Sequence, residues 1–182
     1  MSKRSMSASL VAVVLTALAV ASYVFAAGKT TVFADPLTGY QETSSATPGG
    51  VSSAGTGSFT AVIDEDASTI TYELTYVGLS AAATVAHIHF GNRFTSGGVS
   101  VFLCGGGSKP ACPPGTATEA VVTGIADISD VVGPAGQGIA PGEFAELVRA
   151  IRAGVTYVNV HNTTFPSGEI RGQINNDNQR QP

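Results

Sequence analysis

Three histidines occur in the chain, and two of them, His87 and His89, stand one residue apart in the segment Ala86-His87-Ile88-His89-Phe90-Gly91. Residues i and i+2 of a β-strand point to the same face. At a rise of about 3.3 Å per residue, the two imidazoles stand side by side with Cβ atoms roughly 6.5–7 Å apart. The third, His161, closes another strand-like run, Tyr157-Val158-Asn159-Val160-His161. Imidazole is a common ligand for copper and zinc. Two same-face histidines and one from a second strand therefore describe a mononuclear site with an open or water-filled position, copper being favoured over zinc. The same three side chains can instead be structural, hydrogen-bonded to loop backbone and buried carboxylates. The sequence leaves both readings open. A blue-copper electron-transfer centre is disfavoured because it needs a thiolate and usually a methionine. The cysteines are expected to be paired, and the only methionines, Met1 and Met6, lie in the leader.

Other residues with chemical potential read as structural. Cys104 and Cys112 bracket a glycine-rich loop, and in an exported protein so close a pair is expected to form a disulfide rather than a thiolate metal site. Closing so short a loop is worth roughly 2–3 kcal/mol. Glu169 and Arg171 share one face of the last strand and are expected to form a structural ion pair, with Glu42 as an alternative partner for Arg171. Tyr72 and Tyr76 read as core residues with wet hydroxyls. No serine–histidine–aspartate order, phosphate loop or closely spaced carboxylate pair is evident, so no catalytic residue is assigned.

The elements that must position these residues are mostly strands. Ile70, Tyr72, Leu74 and Tyr76 alternate with Thr69, Thr71, Glu73 and Thr75, the period of a half-buried strand. With Phe59, Ala61 and Ile63 and the polar turn Asp64–Ser68, they form a predicted hairpin. Further strands are expected around Val32-Phe33 and over Val85–Phe90, Val99–Leu103, Ala120–Ile128, Val155–His161 and Glu169–Ile174. On the histidine strand, Val85, His87 and His89 share one face and Ala86, Ile88 and Phe90 the other. One helix is predicted: Phe144, Leu147, Val148 and Ile151 make an apolar stripe, with Gly154 available to end it. The pattern is all-β, a Greek-key-like β-sandwich or partly closed barrel with one short crossover helix.

Composition sets the compartment. Lys3 and Arg4 precede an apolar run from Ala8 to Ala27, and small residues at its end suit signal-peptidase cleavage. At about 20 residues the run is also long enough to span a bilayer. Residues 1–27 are thus a signal peptide or, if retained, an N-terminal membrane anchor. Residues 28–174 form the domain, and 175–182 a polar flexible tail. The net charge is −4, and without Lys3 and Arg4 seven basic and 13 acidic residues leave −6. An acidic surface argues against nucleic acid and against docking to anionic lipid, so membrane contact is confined to residues 8–27 if these are uncleaved. The domain is expected in the periplasm or outside the cell.

Several segments together resemble the chordin-type (CHRD) domain family. They are Leu37-Thr38-Gly39-Tyr40-Gln41-Glu42, Tyr72–Leu79, Ala86–Gly91, Ala153–His161 and Pro166–Ile174, spanning about residues 31–174. Two departures from the family pattern, Thr43-Ser44-Ser45 after Gln41-Glu42 and Asn162 after His161, leave the histidines untouched. The resemblance implies a secreted all-β domain and little about activity. The leader, the acidic glycine-rich domain and the lack of a catalytic constellation point to an exported binding or accessory module without catalysis, free or tethered through its N-terminus to a membrane or a larger assembly, with a protein partner. A smaller likeness concerns the site alone. His87-x-His89 followed by Phe90-Gly91 is similar to the copper-binding strand of copper/zinc superoxide dismutases, with His161 in the place of a late histidine. The further histidines and the metal-binding loop of a bridging copper–zinc pair are missing, which counts against dismutase activity. The alternative it implies is a copper- or zinc-binding protein in metal handling or redox protection.

Overall fold

Period-2 alternation divides each strand between an apolar interior and an outer face. In the computed structural model, which describes residues 29–43 and 49–176, the strands are β1 (Lys29–Thr38), β2 (Thr56–Asp64), β3 (Thr69–Val77), β4 (Ala83–Phe90), β5 (Gly98–Cys104), β6 (Ala120–Asp127), β7 (Thr156–Asn162), β8 (Ile170–Gln173) and the short β9 (Asn175–Asn176). Their order in the sheet is β5-β4-β7-β8-β1-β2-β3-β6, every neighbouring pair being antiparallel, and β9 adds to β1. The sheet curls until its edges β5 and β6 approach each other, giving a nearly closed barrel. β3 shows the pattern plainly: Ile70, Tyr72, Leu74 and Tyr76 are buried while Thr71 and Glu73 face solvent.

The seam between β5 and β6 is bridged by side chains and loops. The Tyr72 hydroxyl donates to the Leu103 carbonyl at 2.9 Å, and the Val132 amide donates to Ser100 O at 2.9 Å. Tyr76 donates to Pro113 O at 2.7 Å. Both tyrosine hydroxyls therefore donate to backbone carbonyls. Cys104 and Cys112 are joined in a disulfide, and the loop they close carries Lys109, whose Nζ reaches Ile125 O and Asp130 Oδ2 at 2.7 Å each. The loop thus latches the end of β5 to β6.

The helix α1 (Phe144–Arg152) lies where the apolar stripe places it. Phe144, Leu147, Val148 and Ile151 are buried in the barrel core, and Gly154, at φ +69°, ends the element in the left-handed conformation that favours glycine. Arg152 bonds Glu65 of the β2–β3 turn and Thr30 of β1, fixing the helix to that end of the barrel. The crossover carries the chain from β6 to β7, on the far side of the sheet order, and so brings His161 beside β4.

One expectation differs at a boundary. The flexible tail does not begin at residue 175, because Asn175 and Asn176 pair with Phe33 and Val32 of β1. The polar side chains there gave no strand signal, and the partner strand supplies the ladder. The leader at residues 1–27 and the tail from 177 onward lie outside the described residues. No helix among the described residues is long and apolar enough to cross a membrane.

Candidate metal centre

The histidines sit on the outer face of the sheet, yet they are buried. On β4, Ala86 and Ile88 enter the core while His87 and His89 point away from it. Register then builds rows across the outer face. His87 lies opposite Phe102 of β5 and Asn159 of β7, and Asn159 opposite Arg171 of β8. In the next row His89 faces Tyr157, which faces Gln173. His161 pairs with Val85, two residues along β7 from Asn159. His87, His89 and His161 are only 7%, 8% and 8% exposed.

Loops cover this face and are held by the strands beneath. The β4–β5 loop is clamped at four points. Gln173 Nε2 donates to Gly91 O at 3.0 Å, Arg171 to Asn92 O at 2.8 Å and Thr95 O at 3.0 Å, and the Gly97 amide to the Tyr157 hydroxyl at 3.1 Å. The Arg171 guanidinium carbon lies 3.4 Å from the centroid of the Tyr157 ring, a cation–π contact, and His89 stacks on the same ring with centroids 4.8 Å apart. A second cover is the β7–β8 turn, which presents Pro166 O to His161.

The backbone fixes one tautomer. His89 Nδ1 lies 2.9 Å from Gly97 O. A carbonyl oxygen only accepts, so this Nδ1 carries the hydrogen, and His89 Nε2, buried without a partner, presents a lone pair. His161 faces acceptor oxygens at both nitrogens, with Nδ1 3.0 Å from Pro166 O and Nε2 2.8 Å from Asn159 Oδ1, and His87 Nδ1 lies 3.2 Å from the same Nε2. Burial is the largest cause lowering all three titrations. It acts with the charges of its neighbours on His87, which falls to about 3, and His89 falls to about 4 although its bond to Gly97 opposes the shift. His161 is lowered as well, partly offset by Pro166. All three rings are therefore neutral near pH 7, the form that binds metals.

The three rings converge. Their ligating nitrogens lie within 4.8 Å of one another. Bonds of 2.0–2.1 Å to one ion put donor atoms roughly 3.3–4.1 Å apart, so the widest spacing needs to close by about 1 Å. A carbonyl that fixes the far nitrogen of each ligand ring is a common feature around protein-bound metals.

One carboxyl stands behind the histidines. Glu42 is 3% exposed, its Oε1 accepts from Asn159 Nδ2 at 3.5 Å, and its Oε2 has no partner. Burial raises it from the ordinary carboxyl range to about 7, against the charge of Arg171 and the bonds from Asn159 and Thr43. Gly168, at φ +121°, leaves room for this contact. A Cβ there would meet Asn159 Nδ2 and Glu42 Oε2 at 2.6 Å each.

The structure brings His87, His89 and His161 together but separates Glu169 from Arg171. No ion pair joins those two among the described residues. Glu169 precedes β8, so strand alternation does not extend to it. Its carboxylate accepts from the Ser80 amide at 3.0 Å, from the Ser80 hydroxyl at 2.9 Å, and from Asn162 Nδ2. Arg171 instead holds the β4–β5 loop and acts electrostatically on Glu42. Sequence reasoning missed Tyr157, Asn159 and Gln173. The signal was the alternation itself, since Tyr157-x-Asn159-x-His161 and Arg171-x-Gln173 place polar side chains on the face already assigned to His87 and His89.

Comparison with known proteins gives one family. The model of the CHRD domain matches residues 33–174. No curated protein matches the chain, and no solved structure does.

Proposed function

The chain belongs to the CHRD-domain family, whose members are modules of secreted or extracellular proteins and are generally non-catalytic, and from that premise we propose that it is an exported binding module holding one copper or zinc ion through His87, His89 and His161. The observation that carries this reading is the Nε2 lone pair of His89. The Gly97 carbonyl holds the ring hydrogen at Nδ1, so Nε2 is a bare acceptor, buried and unpartnered, in a cluster whose ligating nitrogens lie within 4.8 Å of one another. A buried acceptor without a donor costs about 1–3 kcal/mol, which a bound cation removes. His87 would offer Nδ1, the nitrogen that lies 3.2 Å from His161 Nε2. Neutral imidazoles suit both copper and zinc.

Metal handling without turnover follows from what surrounds the rings. Loops cover the face, and the buried carboxyl of Glu42 is engaged with Asn159. The test is metal analysis by native mass spectrometry of protein purified from its own compartment, followed by copper and zinc titration of wild type and His89→Ala. One equivalent bound by wild type, and a loss of tenfold or more in affinity for the variant, is expected on the scale of losing a ligand (about 10–100-fold even for outer contacts). Equal, negligible uptake by both proteins would end the reading.

A further inference from the structure

Asn159 stands at the centre of the histidine cluster. It is the direct cross-strand neighbour of His87, the same-face neighbour of His161 two residues along β7, and diagonal to His89, whose partner is Tyr157. It is 2% exposed. Its Oδ1 lies 2.8 Å from His161 Nε2.

His161 is flanked by acceptors. Its Nδ1 faces Pro166 O and its Nε2 faces Asn159 Oδ1, neither oxygen has a hydrogen to share, and a neutral imidazole has one hydrogen for the two contacts. One of them therefore sets lone pair against lone pair unless a positive centre lies there. The other end of the amide holds this orientation: Nδ2 points to Glu42 Oε1, and the missing side chain of Gly168 lets the two groups approach.

We infer that Asn159 Oδ1 is a fourth metal ligand, completing a set of three nitrogens and one oxygen that closes the ion to outside molecules. The inference rests on the three-histidine reading and extends it. Zinc sites with four protein ligands are structural, whereas catalytic ones keep a position for water or substrate. With Asn159 in the fourth position no water is activated, which gives a chemical reason for a module that binds a metal and performs no turnover. The amide oxygen adds no charge, so the ligand set stays neutral, and the buried carboxyl of Glu42 lies behind Asn159.

The test uses cobalt(II) as a spectroscopic substitute for zinc in the folded domain. Wild type is expected to give a four-coordinate visible spectrum that does not change on addition of azide. Asn159→Ala is expected to bind cobalt about tenfold more weakly or worse, on the scale seen when groups around a metal are removed, and to show an azide-dependent spectrum. Asn159→Asp, which keeps an oxygen at that position, restores the azide-insensitive form. Thermal melts of the metal-free variants separate loss of a ligand from loss of the fold, and the azide titration of wild type needs no variant. A wild-type spectrum that responds to azide, or an Asn159→Ala spectrum equal to wild type, overturns the fourth ligand and leaves the three-histidine site standing. Failure of wild type to take up cobalt, zinc or copper overturns both.

Discussion

His89 Nδ1 lies 2.9 Å from the carbonyl oxygen of Gly97, so the tautomer of a buried ring depends on the conformation of a surface loop. That loop is itself held from below by Arg171, Tyr157 and Gln173. The chain of dependence runs from β8 through the loop to β4.

Arg171 is the residue on which this chain turns. Its fork grips two carbonyls, at Asn92 and Thr95, which a lysine ammonium does not match in geometry. Hydrogen bonds to charged groups contribute about 1.5–3 kcal/mol each. Arg171→Lys is expected to destabilise the domain by about 2–4 kcal/mol and to reduce the fraction of His89 hydrogenated at Nδ1. Urea unfolding gives the first quantity and nitrogen-15 NMR of the imidazoles the second. An unchanged His89 tautomer would show that the loop does not set it.

Glu42 makes stability depend on pH in a definite sense. Its carboxyl titrates near 7 in the fold against an ordinary value of 4.5, because burial penalises the charge. The fold therefore favours the protonated form, a contribution fully present below pH 4.5 and lost as pH rises through about 7. Glu42→Gln, neutral at every pH, should gain on wild type by about 2–3 kcal/mol between pH 5 and pH 8. Melting of the metal-free proteins at the two pH values measures the gain, and a pH-independent difference would contradict it. The histidines act in the opposite direction. Their folded values lie below 6.5, so their contribution is present above that pH and declines as pH falls toward about 4 for His89 and about 3 for His87.

Gly168 is expected to be intolerant of the smallest change. An added methyl would meet both Asn159 and Glu42 at 2.6 Å, on a backbone at φ +121°. Gly168→Ala should cost roughly 1–3 kcal/mol in stability and lower metal affinity by displacing the Asn159 amide. Calorimetric metal titration of the folded variant checks the second effect. Affinity equal to wild type would mean that the amide is free to move.

The disulfide is expected to stabilise the seam and leave the histidines alone. Cys104→Ser with Cys112→Ser should lower stability by about 2–3 kcal/mol, from the short loop it closes. Hydrogen exchange should quicken in β5 and β6 while protection of the β7 amides persists. Uniform loss of protection across all strands would instead mark the loop as part of one cooperative unit.

Most of the fold was legible because alternation is a local property. The β2–β3 hairpin, the histidine strand and the Phe144–Ile151 stripe could all be placed from spacing alone. The convergence of His161 on His87 was legible only as chemistry, since the partnership of β4 with β7 depends on a crossover through α1 that no local pattern encodes. Burial of the site was not legible at all. Outward-facing polar residues ordinarily meet water, and here loops that carry no periodic signal cover them. The misassigned Glu169–Arg171 pair has the same origin: alternation was extended one residue past the true start of β8, and Glu169 turned toward Ser80 and Asn162 instead.

The placement of the histidines on the outside of the barrel has one more consequence. Along β4 and β7, neighbouring residues serve different purposes. Ile88, Val158 and Val160 fill the interior, while His87, Tyr157, Asn159 and His161 build the polar cluster. The two inventories share no side chain. Descendants of this chain can therefore exchange the outer set, altering or abandoning its ligand, while inheriting the barrel intact.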